Sequence, residues 1–308
     1  MNNHISDSLK LDIFKFKVKI YIPLLYSEKI KRPGKRYFLN NIIGEDFIIL
    51  WLSFAYTSSH LLLSSISIFL LLIAFWCIYE LGYIENDIIG DKYEDKAVLS
   101  HNYKSGEYSF GLWQPWLWSL GLSILGIIAL ENNKIFEISS LDVFTFHGYE
   151  HIFSDISAKL IYWGFFLLAL RGIFYVYNNI NKQSRVWFYL LLQTFRYCGF
   201  LIIITTNTVG LMLLVSCILT RSIQYILYRY LGGQESSWPM DFPRYFFCLL
   251  IYILLIGILA VNSRDLSLIF NFQVLLICSF CLLRGRKGFT NVFANFLPVS
   301  QDGSNGVT

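Results

Sequence analysis

Long apolar runs recur along most of this chain, and each is long enough to cross a lipid bilayer. Hydrocarbon offers no solvent partner to a free peptide group, so a run of about 20 apolar residues forms a membrane-spanning helix. Charged residues make up 15% of the chain and hydrophobic residues 55%, unlike a soluble domain. We predict an all-α, polytopic transmembrane helix bundle with about eight spans, at residues 42–58, 61–84, 111–130, 158–178, 186–204, 207–226, 244–262 and 266–283.

Basic residues are distributed unevenly between the two sides of this predicted topology. The N-terminal arm, the C-terminal tail and three loops on one side hold 21 of the 25 Lys and Arg residues. Because cytoplasmic loops are enriched in Lys and Arg, we place both termini in the cytoplasm. We expect an integral multi-pass protein of the bacterial plasma (inner) membrane. The basic residues indicate contact with anionic membrane lipid, and we expect no nucleic-acid partner.

Three regions follow from this pattern. Residues 1–43 form a basic, amphipathic N-terminal arm, expected to lie along the lipid headgroups, 44–284 form the transmembrane bundle, and 285–308 form a cytoplasmic tail. The first two spans are joined by a tight turn and should form an antiparallel hairpin. Nearly all of the six cysteines lie in apolar runs, so we predict small buried hydrophobic residues rather than disulfides or a zinc site.

An acidic segment, residues 86–95, follows the second predicted span directly. Each helical residue advances by about 100°, so Asp91 and Glu94 would lie within about 40° of Asp87 on a continuing helix. Carboxylates on one helix face repel each other and need a cation, and oxygen ligands suit Mg²⁺. We predict a magnesium site formed by Asp87, Asp91, Glu94 and Asp95. A solvated acidic loop is the alternative interpretation.

The same segment resembles the first aspartate-rich motif of the UbiA superfamily of intramembrane prenyltransferases. That motif reads Asn-Asp-x-x-Asp-x-x-x-Asp after the second span; Asn86 and Asp87 match directly, and Asp91 and Asp95 match with one inserted residue. Lys104-Ser105-Gly106 is similar to the basic and Ser-Gly run that follows the motif in that family. The family's second aspartate-rich motif is missing, since residues 221–230 contain no acid.

The resemblance implies Mg²⁺-dependent transfer of an isoprenyl group from a prenyl diphosphate to a lipophilic acceptor, at a site facing the cytoplasm. Asp87, Asp91 and Asn86 would be the catalytic residues. The diphosphate would be bound at the cytoplasmic helix ends by Lys104, Arg171, Lys182, Arg185, Arg221, Asn178, Tyr83 and Tyr175. Single basic residues at these places are also typical positive-inside anchors. Arg171 and Arg196 lie within predicted spans, so we expect both to face the protein interior or a cavity.

Two groups of alternatives stay open at this point. Within the same superfamily, a terpene cyclase or a phosphoribosyl transferase acting on polyprenyl phosphate would use the same first motif. The missing second motif leaves a non-catalytic membrane transporter or assembly protein as a different class of function. His147, Glu150 and His151 spell H-x-x-E-H, but Gly148 interrupts the pattern and it lies on the opposite side. We therefore expect a cap or turn there and no zinc site.

Overall fold

Helices make up most of the chain that the structure describes. The computed structural model describes residues 20–94, 97–105, 111–131, 156–232 and 242–294. The chain divides into two compact units, Met1–Asn207 and Thr208–Thr308. No strand occurs within the described ranges, which confirms the all-α prediction for this part of the chain.

Five helices in the described ranges are long and apolar enough to cross a membrane, which supports the prediction of a membrane protein with transmembrane helices. They are Phe38–Ala55, Leu61–Tyr93, Ile156–Asn179, Thr208–Tyr230 and Arg244–Ser263. The other three predicted spans overlap the helices Gln114–Glu131, Arg185–Cys198 and Phe272–Ala294 without sharing their bounds. The count of eight spans and the cytoplasmic location of the termini stay predictions.

The first unit contains six helices in its described ranges. They are α1 (Phe38–Ala55), α2 (Leu61–Tyr93), α3 (His101–Ser105), α4 (Gln114–Glu131), α5 (Ile156–Asn179) and α6 (Arg185–Cys198), the last continued by a 3₁₀ turn, Gly199–Ile202. Helix α1 is π-helical through Phe38–Phe47 and Trp51–Ala55. It begins five residues before the predicted end of the N-terminal arm.

Helix α2 is the centre of the first unit and packs against α1, α4 and α5. Residues 71–82 are buried on every side of the helix, as expected for a helix that is apolar all round. Its 33 residues span about 50 Å, whereas the hydrocarbon core of a bilayer is about 30 Å thick. The acidic segment therefore begins on a helix that continues beyond its apolar run, as the sequence predicted.

Small and hydroxylated residues bring α2 and α4 together. The Ser67 hydroxyl donates to the Gly126 carbonyl at 2.7 Å, and the Ser119 hydroxyl donates to the Ala74 carbonyl at 2.9 Å. A Cβ atom at Gly126 would lie 2.9 Å from the Leu71 side chain. Close backbone approach and interhelical hydrogen bonds of this kind drive helix association in membranes.

Aromatic rings fill the space between α2, α5 and the end of α6. Phe75 stacks on Phe166 at a centroid distance of 6.0 Å, and Tyr79 meets Phe174 edge-on at 4.6 Å. Phe200 joins this layer 6.0 Å from Phe75. These rings form an apolar, aromatic wall below the polar end of α2.

In its described ranges the second unit contains α7 (Thr208–Tyr230), α8 (Arg244–Ser263) and α9 (Phe272–Ala294), with a 3₁₀ turn, Leu266–Phe270, before α9. Helix α8 ends at Arg264, whose left-handed backbone (φ 55°) reverses the chain. The six cysteines all lie in described residues; none of them forms a disulfide bond, and four of them are buried. The prediction that they are mostly small buried hydrophobic residues is confirmed.

Candidate functional site

The described part of the N-terminal arm, residues 20–37, packs against the C-terminal half of α2. Glu80 anchors it: this fully buried carboxylate accepts hydrogen bonds from the Tyr21 hydroxyl at 2.7 Å and from the backbone N–H groups of Leu24 and Ser27 at 3.0 and 2.6 Å. A π-helical turn, Tyr26–Lys31, follows. The predicted headgroup contact of residues 1–19 lies outside the described residues.

Asp87 is buried, and both of its carboxylate oxygens are occupied by donors from the arm. The Lys31 ammonium lies 2.5 Å from Oδ1, and the Tyr26 hydroxyl donates to Oδ2 at 2.7 Å. Burial lowers the pKa of Lys31, and the Asp87 carboxylate opposes that shift. Burial and then the Asp87 carboxylate raise the pKa of Tyr26. The arm therefore neutralises the central acid of the predicted motif.

Asp91 lies one helical turn beyond Asp87 and is exposed. Burial raises the pKa of Tyr103, and the carboxylates of Asp91 and then Asp87 raise it further. Because α2 continues to Tyr93, the four-residue spacing of Asp87 and Asp91 places both acids on the same side of the helix, as predicted. Within the described residues, Asp91 forms no ion pair through its side chain.

Glu94 faces a different partner, and the prediction that it converges with the two aspartates is wrong. Helix α2 ends at Tyr93, and Glu94 has an extended backbone. Its carboxylate lies 2.7 Å from Arg185 and 3.3 Å from Lys182. Burial alone would raise the pKa of Glu94, but the hydrogen bond and charge of Arg185, with Lys182, bring it below its usual value. Among the described residues, no three acid, histidine or cysteine side chains group as metal ligands; Asp95 lies outside them.

The polar ends of α2 and α5 are joined by an ion pair and a set of amide hydrogen bonds. Arg171 donates in a bidentate fork to Glu85, at 2.6 and 3.0 Å, a strong geometry for this pair. The Asn178 amide donates to Glu85 at 2.9 Å and to the Gly82 carbonyl at 3.1 Å. Asn86 in turn donates to the Asn178 side chain at 3.1 Å. The predicted residues Asn86, Arg171 and Asn178 are therefore brought together.

The remaining predicted residues, Tyr83, Lys104, Tyr175 and Arg221, do not belong to this set of ion pairs and amide hydrogen bonds. The Tyr83 ring lies below the Lys31 ammonium, at 5.2 Å, and packs edge-on against Tyr79. Lys104 is exposed on α3, and Tyr175 is 61% exposed on α5, away from this packing. Arg221 belongs to α7 of the second unit. The histidine pattern at residues 147–151 lies outside the described residues.

Three buried acids, Glu45, Asp46 and Glu80, were not among the predicted site residues. Glu80 holds the arm, and Asp46 on α1 receives Arg196 of α6, with N–O distances of 2.7 to 3.1 Å. Trp76 also donates to Asp46, at 3.1 Å, and the Arg196 guanidinium lies 4.9 Å from the Trp76 ring centre. Arg196 is buried, so the expectation that it faces the interior is confirmed. The available signal was an acid within an apolar run.

The arrangement as a whole is a layer of ionic groups above an aromatic wall. Lys31 pairs with Asp87 and Arg171 with Glu85, while Lys182 and Arg185 share Glu94. Comparison with protein-family models, with curated proteins and with solved structures finds no match for this chain. Its function is therefore inferred from the contacts of its own residues.

Proposed function

We propose that this chain is an integral membrane prenyltransferase that transfers an isoprenyl group from a prenyl diphosphate to a lipophilic acceptor with Mg²⁺. The reacting groups would meet at the C-terminal end of α2, on the cytoplasmic side of the bacterial plasma membrane, in a chain with eight spans. In the reaction the carbon–oxygen bond to the diphosphate breaks, the electron pair leaves with the diphosphate, and the acceptor forms the new bond to carbon.

One observation carries this proposal. The structure gathers six polar residues at one layer, from three helices and from the turn that joins α5 to α6: Asn86, Asp87, Arg171, Asn178, Lys182 and Arg185. The aromatic wall of Tyr79, Tyr83 and Phe174 lies directly below. Charged groups suit a diphosphate, and ring faces suit both an isoprenyl tail and a developing allylic cation.

Asp87 and Asp91 fit a magnesium ion. Mg²⁺ takes one or two carboxylates and completes its shell with water and substrate phosphate, and these two acids share one side of α2. When bound, the ion would neutralise charge on the leaving diphosphate. For this, Asp87 would first have to release the Lys31 ammonium. That ammonium would then be available to phosphate oxygens. Asn86 and Asn178 fix the two helix ends on which these groups stand.

The pairing of Asp87 with Lys31 also favours a second candidate, a non-catalytic membrane transporter or assembly protein in which these ion pairs are structural. A terpene cyclase and a phosphoribosyl transferase acting on polyprenyl phosphate share the diphosphate leaving group of the first proposal. The choice of donor and acceptor in an assay separates these activities from one another.

The test is release of pyrophosphate from farnesyl or geranylgeranyl diphosphate by the purified protein, with Mg²⁺ and a membrane lipid extract as acceptor source. Asp91→Asn should lower the rate by about 50-fold or more, since it removes a transition-state charge contact. Because Asp91 is exposed and outside the buried ion pairs, the Asp91→Asn variant should have the same thermal midpoint as the parent protein. Asp87→Asn should also abolish release.

Asp265→Asn is the matched control, because this exposed acid belongs to the second unit and asparagine also caps helical turns. It should keep the parent rate. Phosphoribosyl diphosphate with polyprenyl phosphate is the parallel donor and acceptor pair. If the parent releases pyrophosphate from none of these donors, the catalytic proposal is lost and the non-catalytic candidate stands.

A further inference from the structure

Arg32 differs from the other arm and helix-end cations described above. Its guanidinium lies 4.6 Å from the ring centre of Tyr37 and 6.0 Å from that of Tyr83, and it is only half-buried. Among the described residues no carboxylate lies within ion-pair distance of it. In the described part of the chain, this guanidinium therefore has aromatic rings, and no acid, as its close partners.

The charges around Arg32 leave one positive charge uncompensated. On one side Lys31 and Asp87 neutralise each other, and on the other Arg196 and Asp46 do so. Arg196 itself, together with Tyr189, is within electrostatic reach of Arg32. Desolvation and the like charge of Arg196 disfavour this cation, whereas the ring faces stabilise it without supplying a negative charge. An anion in this place would remove the imbalance.

We propose that Arg32 is the centre of an anion subsite that binds a phosphate group, carried either by a membrane lipid headgroup or by a free diphosphate. A guanidinium offers a planar fork of N–H donors that matches two phosphate oxygens. This subsite extends the proposed function. It rests on that function only in one respect, namely that a bound diphosphate would belong to a prenyl donor. Lys31, once exchanged from Asp87, would add a second cation beside it.

This assignment replaces part of the phosphate-binding set predicted from the sequence. Arg171 and Arg185 already hold Glu85 and Glu94 in short ion pairs. A phosphate binding to them must compete with those carboxylates, whereas at Arg32 it displaces no acid. Arg32 is therefore a better candidate for binding phosphate than Arg171 or Arg185.

The experiment compares Arg32→Gln with Arg36→Gln in the full-length protein in detergent. Arg36 is an exposed arginine four residues further along the same segment, so both variants lose one positive charge from the arm. Two probes are titrated in EDTA, without turnover: labelled inorganic pyrophosphate by equilibrium dialysis, and dilauroyl phosphatidic acid against dilauroyl phosphatidylcholine by native mass spectrometry.

Arg32→Gln should weaken binding of at least one phosphate probe about tenfold or more, as expected for loss of a charge-assisted contact, while Arg36→Gln changes it less than about twofold. Loss with phosphatidic acid alone assigns the subsite to a lipid headgroup, and loss with pyrophosphate alone assigns it to a free diphosphate. Arg32→Lys, which keeps the charge and removes the fork, should bind between parent and Arg32→Gln and serves if the glutamine variant fails to fold.

The proposal is overturned if neither probe binds the parent protein above the phosphatidylcholine background, or if the two glutamine variants bind alike. Because the titrations contain no Mg²⁺ and no prenyl donor, their outcome is independent of pyrophosphate release. An intact anion subsite in a protein that releases no pyrophosphate would thus retain this inference and reject the proposed reaction.

Discussion

Glu80→Gln tests whether one buried carboxylate holds the N-terminal arm on α2. The carboxylate accepts three hydrogen bonds, two at Oε2 from Tyr21 and Leu24 and one at Oε1 from Ser27. Glutamine has nearly the same shape but replaces one acceptor oxygen with an NH₂ donor. In either amide orientation at least one arm donor then faces another donor.

The expected cost follows from these contacts. A hydrogen bond to a charged group contributes about 1.5–3 kcal/mol, and a buried donor left without an acceptor costs about 1–3 kcal/mol. Since the Glu80 side chain is fully buried, water cannot replace the lost acceptor. We take about 3 kcal/mol for the substitution, which raises the opening equilibrium of the arm about 150-fold.

Hydrogen–deuterium exchange of the detergent-solubilised protein measures this directly, because the Leu24 and Ser27 amides are themselves donors to Glu80. Peptides covering residues 20–31 should exchange about two orders of magnitude faster in Glu80→Gln. Glu85→Gln is the control, since it makes the same change on the same helix but its partners are Arg171 and Asn178. Equal exchange of the arm in Glu80→Gln and the parent would refute the anchoring role of Glu80. Equal acceleration in both variants would show general loosening instead.

Two further predictions concern ion pairs of the first unit. Asp46→Asn leaves Arg196 buried without its acid, so the free energy of unfolding in mixed micelles should fall by about 3–5 kcal/mol. Asp265→Asn, an ordinary surface substitution, should lower it by less than about 0.5 kcal/mol. An equally small loss in Asp46→Asn would contradict a structural role for the pair. Glu94→Gln should lower the thermal midpoint at neutral pH. The folded pKa of Glu94 is lowered, so its contribution is complete above its unfolded pKa and disappears as the pH falls through the folded pKa. A difference in midpoint that persists unchanged to pH values well below about 4 would contradict this linkage.

The fold was predictable from local features because membrane helices satisfy their own backbone. The apolar run at 61–84 predicted most of α2, and the spacing of Asp87 and Asp91 predicted that both acids lie on one side of this helix. The point where α2 ends was not predictable in the same way. No Pro or strong capping residue follows Tyr93, and the ion pair of Glu94 with Arg185 joins residues far apart in the chain.

The site was predictable only in part, for the same reason. Residue type and position at a helix end indicated Asn86, Arg171 and Asn178, which the structure does bring together. The partners of Asp87 come from an arm that lies more than 50 residues earlier, and no periodicity reports such pairings. Glu80 and Asp46 did carry a local signal, because an acid within an apolar run needs a partner.

Charge balance connects the resting arrangement to the proposed chemistry. In the first unit Lys31, Arg171 and Arg196 each pair with a separate acid, and Lys182 and Arg185 share Glu94. These ion pairs therefore leave one positive charge in addition to that of Arg32. A magnesium diphosphate ester carries about one net negative charge near neutral pH. Its binding beside Asp87 would exchange Lys31 for Mg²⁺ and would compensate Arg32, and both steps leave the layer without a new unpaired charge. A free diphosphate without the metal would bring about three negative charges to the same place, so the structure predicts that metal and diphosphate bind together more tightly than either does alone.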